Sequence, residues 1–144
     1  MPHIPIYQVD AFTDELFGGN PAAVCLLEAW PPARVLQQIA AENYLPETAF
    51  FIPSGTPGHY ELRWFTPDIE MDLCGHATLA SAHVLFNHMG WDMHRITFHT
   101  QSGELVVFKH NGLLVLDFPS RPAVPASLPP EIFKGIGAYP MEVL

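Results

Sequence analysis

The segment Ala77–Met89 constrains this chain most, because Leu79, Ala80, Ala82, Val84, Leu85 and Phe86 leave it almost no continuous polar face. A helix that is apolar around most of its circumference has to be buried on most sides. A sheet curved around the helix provides such a cover, so the rest of the chain must supply strands.

Strand signals lie on both sides of that segment. Ile4–Phe12 is β-branched and aromatic and breaks at Gly18-Gly19-Asn20-Pro21, and Ala22–Leu27 is a short apolar run suited to a buried strand. Glu47–Ile52 is strand-like and is closed by the turn formers of Pro53–Gly58, after which Tyr60, Leu62 and Trp64 alternate with Glu61 and Arg63. Phe65–Glu70 reads as a turn. Beyond the apolar helix, Ile96–Gln101, Glu104–His110 and Leu113–Phe118 follow one another, the last two joined by Asn111-Gly112, a strong hairpin signal.

One more helix, Ala33–Tyr44, starts after Pro31-Pro32 and carries only the narrow stripe Val35, Leu36, Ile39 and Ala40, as a surface helix does. With roughly seven strands, the expected fold class is α+β: a strongly curved, mostly antiparallel sheet or barrel wrapped around a buried central helix. Three successive strands without an intervening helix argue against a regular parallel α/β fold. Residues 1–118 hold these elements. Residues 119–144, with prolines at 119, 122, 125 and 129, read as an extended connector, a short glycine-capped helix from Glu131 to Gly135, and an apolar start that does not continue.

Six basic against fifteen acidic residues give a net charge of −9, which repels phosphate backbones and excludes a nucleic-acid partner. No apolar run approaches the ~20 residues that span a bilayer, and Met1–Asp10 lacks a secretory pattern, so a soluble cytoplasmic protein is expected. Cys25 and Cys74 form no C-x-x-C pair, and the eight histidines are scattered. His83 and His88, at i, i+5, do not share a helix face, so neither a disulfide framework nor a metal site is expected.

Two segments can carry chemistry. Glu47, in Leu45-Pro46-Glu47-Thr48-Ala49-Phe50, stands at the mouth of an apolar strand. Apolar surroundings disfavour a charged carboxylate and suit it to giving and taking protons near neutral pH; the bland alternative is a solvated strand-end glutamate. In Asp72-Leu73-Cys74-Gly75-His76-Ala77-Thr78, directly before the buried helix, free amides attract a carboxylate or oxyanion, with His76 beside it. Cys74 is either a thiolate activated by the helix start or a small packing residue, and His76 can equally be a capping or core imidazole. The Phe17-Gly18-Gly19-Asn20-Pro21 turn exposes backbone donors but has neither a dinucleotide nor a P-loop spacing. In the Phe65–Glu70 turn, Thr66 and Asp68 read as structural.

Taken in order, VDAFTDELFGGNPAAV, ENYLPETAFF and LRWFTPDIEMDLCGHATLASA resemble the PhzF-like (phenazine-biosynthesis-like) family of the diaminopimelate-epimerase fold. The resemblance covers Ile4–Phe118 and implies two similar halves, each a curved sheet around a helix, with the active site between them. It implies that Glu47 is the acid/base and that His76 assists, while Asn20, Gly75, Ala77 and Thr78 hold the substrate and Cys74 is a possible thiol. His76 stands where the related amino-acid epimerases carry asparagine, which favours a glutamate-centred mechanism over a two-thiol one. The second half's G-x-D-P-V-T-G-like motif does not occur in these 144 residues.

The expectation is therefore an isomerase or epimerase component. It would be cofactor-independent, would act on a small carboxylated substrate, and would be completed by a homodimer partner or a second half-domain. The alternative is a catalytically silent binding domain, or an inactive fragment lacking the second half.

Overall fold

A computed structural model of the chain describes residues 3–144. The strands are β1 (Ile6–Ala11), β2 (Asn20–Leu26), β3 (Glu47–Pro53), β4 (His59–Phe65), β5 (Glu70–Met71), β6 (Arg95–Thr100), β7 (Gly103–His110) and β8 (Leu113–Asp117). The helices are α1 (Ala33–Asn43), α2 (Gly75–Asn87) and α3 (Pro130–Ile136).

The strands form one sheet in the order β1-β2-β3-β4-β6-β7-β8, with β5 paired to β4. It is mostly antiparallel, as expected. The exceptions are β2 beside β3 and β4 beside β6, each a parallel pair whose connection carries a helix. The added strand β5 sits inside the stretch read as a turn. Thr66 makes that turn, its hydroxyl accepting from the amides of Asp68 and Ile69, and only two residues then pair back onto Trp64 and Phe65.

Side-chain alternation sorts the sheet into two faces. Ala22 and Val24, Ala49 and Phe51, Leu62 and Trp64, Ile96 and Phe98, and Leu105 and Val107 face inward and form one core with α2. The helix packs on β1, β2, β3 and β8, so the sheet curls around it as a half-barrel. Cys25, Phe50 and Phe65 face outward, where they meet Leu36 and Ala40 of α1 in a second, smaller cluster. β2 is buried on both faces, which is why its sequence is continuously apolar instead of alternating.

The Pro119–Pro129 stretch is free of helix and strand and largely exposed, and α3 buries none of its residues. The left-handed glycine that ends α3 is Gly137, two residues beyond the expected Gly135. No helix among the described residues is long and apolar enough to cross a membrane.

Candidate active site

Two connections bring the site together. At the end of α1, Tyr44 turns left-handed (φ 53°) and donates its amide to the Ala40 carbonyl, and Pro46 then bars further helix. The chain emerges as β3 with Glu47 first. Glu47 has the parity of Ala49 and Phe51, so its side chain lies on the concave side with α2, whereas Thr48 faces outward and accepts a hydrogen bond from Asn43 (3.2 Å). At the other connection, the Asp72 carbonyl accepts from Ser102 (2.7 Å) and its carboxylate from Arg121 (2.9 Å), holding the loop that leads into Cys74 and α2.

The result is a compact trio in which ligand-type atoms of Glu47, Cys74 and His76 all lie within 4.8 Å of one another. Glu47 Oε2 is 3.2 Å from His76 Nε2, and Cys74 Sγ is 3.5 Å from His76 Nδ1. The Glu47 side chain is only 17% exposed and that of His76 9%, so the solvated strand-end reading of Glu47 does not describe it. Although Nε2 lies within ion-pair distance of the carboxylate, it is buried without an aligned hydrogen bond. A buried, unsatisfied ring nitrogen beside a carboxylate is a costly arrangement that a bound polar group would relieve.

Cys74 behaves oppositely to the activated thiolate that a helix start can create. Burial pushes its thiol up to about 11, against an opposing pull from the amides of Ala77 and His76. Those amides lean toward the sulfur without forming a full capping hydrogen bond. At neutral pH the group is therefore a protonated thiol, with S–H available to His76 Nδ1. A thiol raised in this way is disfavoured as a thiolate at neutral pH.

The remaining expected site residues divide. Gly75 and Ala77 are in the first turn of α2, where backbone amides lack helical partners, and a Cβ at Gly75 would meet only Phe118 at an ordinary 3.5 Å. Thr78 is fully buried, and its hydroxyl donates to the Cys74 carbonyl at 2.6 Å, closing that first turn. Asn20 opens β2 two residues before Ala22, the parallel partner of Glu47, and shares its concave parity. Among the described residues it makes no side-chain hydrogen bond to the trio. The neighbouring Gly19 (φ +69°) is indispensable to that turn, since a Cβ there would lie 2.2 Å from the Ala11 carbonyl oxygen. A concavity of about 830 Å³ lies away from the trio, between β1, the β1–β2 loop, α2 and the start of β8.

A family model described as phenazine biosynthesis-like protein matches residues 9–127. The chain belongs to this PhzC-PhzF family. A Pseudomonas aeruginosa protein named an uncharacterized isomerase is 48% identical over 141 residues, covering 98% of this chain and 54% of that protein. A crystal structure of a PhzF-family phenazine biosynthesis protein from Enterococcus faecalis superposes with a TM-score of 0.82 at 48% identity, covering 96% of this chain and 53% of that one. A hydroxyproline epimerase from Agrobacterium vitis, crystallised with bound trans-4-hydroxy-L-proline, has a TM-score of 0.53 at 12% identity; it covers 78% of this chain and 40% of its own, and shows shared fold alone. The α+β half-barrel around a central helix is thus a family architecture, and the chain spans about half the length of the relatives it matches.

Proposed function

We propose that this chain supplies the proton-transferring wall of a cofactor-independent isomerase or epimerase acting on a small carboxylated substrate. The observation that carries this reading is the convergence of Glu47 and His76 at the start of α2, 3.2 Å apart and mostly buried, with Nε2 lacking an aligned partner. The substrate carboxylate lies against the amides of Gly75, His76 and Ala77, where the helix start favours negative charge. Glu47 removes a proton from the carbon skeleton and returns it at another position or on the other face. His76, held by Cys74, donates its Nε2 proton to charge developing on the substrate. A second half-domain or a second copy of the chain closes the cleft from the opposite side. Two free buried cysteines suit a reducing, cytoplasmic setting.

The test is solvent-deuterium incorporation into candidate amino acids and dihydro-aromatic acids. Glu47→Gln should lower exchange at least about 100-fold, the range expected for loss of a general acid/base. Equal exchange in wild type and variant removes Glu47 from the mechanism.

A second reading, a binding domain without catalysis, is supported by one surface. The β1–β2 loop presents Phe12, Leu16 and Phe17 to solvent, Phe17 at 97% exposure. Absence of exchange in wild type, together with self-association or partner binding abolished by Phe17→Ser, would favour it.

A further inference from the structure

Outside the trio, the fold brings together two histidines that are 40 residues apart in sequence. His59 begins β4 and His99 lies near the end of β6, the strands that meet in the parallel seam His59↔Thr97, Tyr60↔Phe98, Glu61↔His99. Tyr60 and Phe98 pack with the inner core, so His59 and His99 both stand on the outer face. Their facing nitrogens, His59 Nδ1 and His99 Nε2, are 3.0 Å apart. The ring centroids are 5.2 Å apart and the planes differ by 22°, so the rings lie end to end, with the two nitrogens between them, and not face over face.

Only one proton fits between two such nitrogens, and the surroundings determine which ring holds it. Glu104 Oε1 is 3.4 Å from His99 Nδ1, and its negative charge favours a proton there. His99 Nε2 is then the unprotonated nitrogen, with its lone pair aimed at His59. A carboxylate behind one ring nitrogen, with the other nitrogen free, is the arrangement that orients histidine ligands in metal sites. His99 is also flanked by acid on both neighbouring strands, Glu61 opposite it on β4 and Glu104 opposite it on β7, in a chain of net charge −9. The His99 side chain is 38% exposed, which leaves it room to swing.

We propose that His59 and His99 form a surface binding site for a divalent transition-metal ion of the zinc or nickel type, with Glu104 as the positioning residue behind His99. Two imidazole nitrogens on one such ion, each ~2.1 Å from it, stand ~3.0 to ~3.4 Å apart for bond angles between a right angle and tetrahedral. The observed separation is at the near end of that range, and turning each ring about 35° to 45° toward solvent, which breaks the direct contact between the two nitrogens, brings both lone pairs onto a common point. His59 moves its Nδ1 proton to Nε2, so two neutral rings bind without net proton release, and water fills the remaining positions. The ion would pin β4 to β6, a seam of only three paired positions. Sequence spacing hides this site because the two ligands meet only across the sheet.

Zinc titrated calorimetrically into the 144-residue chain at neutral pH provides the test. His59→Ala and His99→Ala should each weaken binding at least tenfold, and Glu104→Gln, which leaves both ligands in place, about tenfold. The site distinguishes itself from the Glu47–Cys74–His76 trio by the imidazole NMR signals of the unmodified chain. Zinc should shift those of His59 and His99 and leave His76 in place. Undiminished affinity in the His59→Ala/His99→Ala double variant, zinc-induced shifts confined to His76 or other histidines, or no binding at millimolar zinc would overturn the proposal. Should a histidine variant fold poorly, the NMR shifts and Glu104→Gln still decide.

Discussion

The two long helices of this molecule pack on opposite faces of one sheet and are built on different principles. α1 buries only Leu36 and Ala40, against a small patch that includes Cys25, Phe50 and Phe65. α2 has nine buried residues around its circumference, and its two buried hydroxyls bond back to the backbone one turn earlier: Ser81 donates to the Ala77 carbonyl at 2.8 Å and Thr78 to that of Cys74, while His76 Nε2 is left unpaired. Small residues at Ala77, Ala80, Ser81 and Ala82 let the strands close in. The difference separates two tasks. α1 turns the chain and delivers Glu47 from its C-terminal end, whereas α2 is the rigid post on which His76 and the free amides are mounted.

The sharpest way to break that comparison is a charge on each helix. Ala82→Asp places a carboxylate at a fully buried position of α2 and should cost at least about 4 kcal/mol, a large share of a domain's stability. Gln38→Asp on the exposed side of α1 should cost under about 1 kcal/mol, and urea denaturation measures both. Similar losses at the two positions would show that α1 is as deeply integrated as α2.

A smaller contrast comes from truncation. Leu85→Ala in α2 should destabilise by about 3 kcal/mol through its cavity, and the half-buried Ile39→Ala in α1 by about 1 kcal/mol.

The last contrast concerns the cysteine in each layer. Burial pushes the Cys25 thiol up to about 12 and that of Cys74 up to about 11, from an ordinary 9.0. Above pH 9 the unfolded chain loses these protons while the folded chain keeps them, so this contribution is complete below pH 9 and is lost as pH rises toward 11 to 12. Cys25→Ala should flatten the fall in stability over that window relative to wild type, as followed by urea unfolding at stepped pH. An unchanged slope would mean that the thiol beneath α1 is not sealed from water.

Much of this organisation could be read from residue order. The apolar circumference of Leu79–Phe86 required a wrapped helix, the Asn111-Gly112 turn gave the β7–β8 hairpin, and Pro31-Pro32 marked the start of α1. What escaped has physical reasons. β5 is two residues long and has no period to detect. α2 begins at Gly75 instead of Ala77 because a glycine and a histidine add nothing to an apolar pattern, and it ends at Asn87, before Met89. Glu47 and Cys74–Thr78 could be singled out as candidates, but their meeting depends on strand parity and on the loop held by Ser102 and Arg121. The state of Cys74 was hidden for a related reason: local sequence shows the helix start but not the burial that overrides it.

The two parallel seams also bear on how the chain assembles. β1–β2, β3–β4 and β6–β7–β8 are antiparallel neighbours joined by connections of eight residues or fewer and can form as local units. The β2/β3 and β4/β6 pairings must wait for a helix to fold between their strands, and the longer closure encloses α2. The three-pair β4/β6 seam should therefore close late. Substitutions along it should accelerate unfolding and leave the folding rate nearly unchanged, whereas substitutions in the β6–β7–β8 meander should slow folding itself.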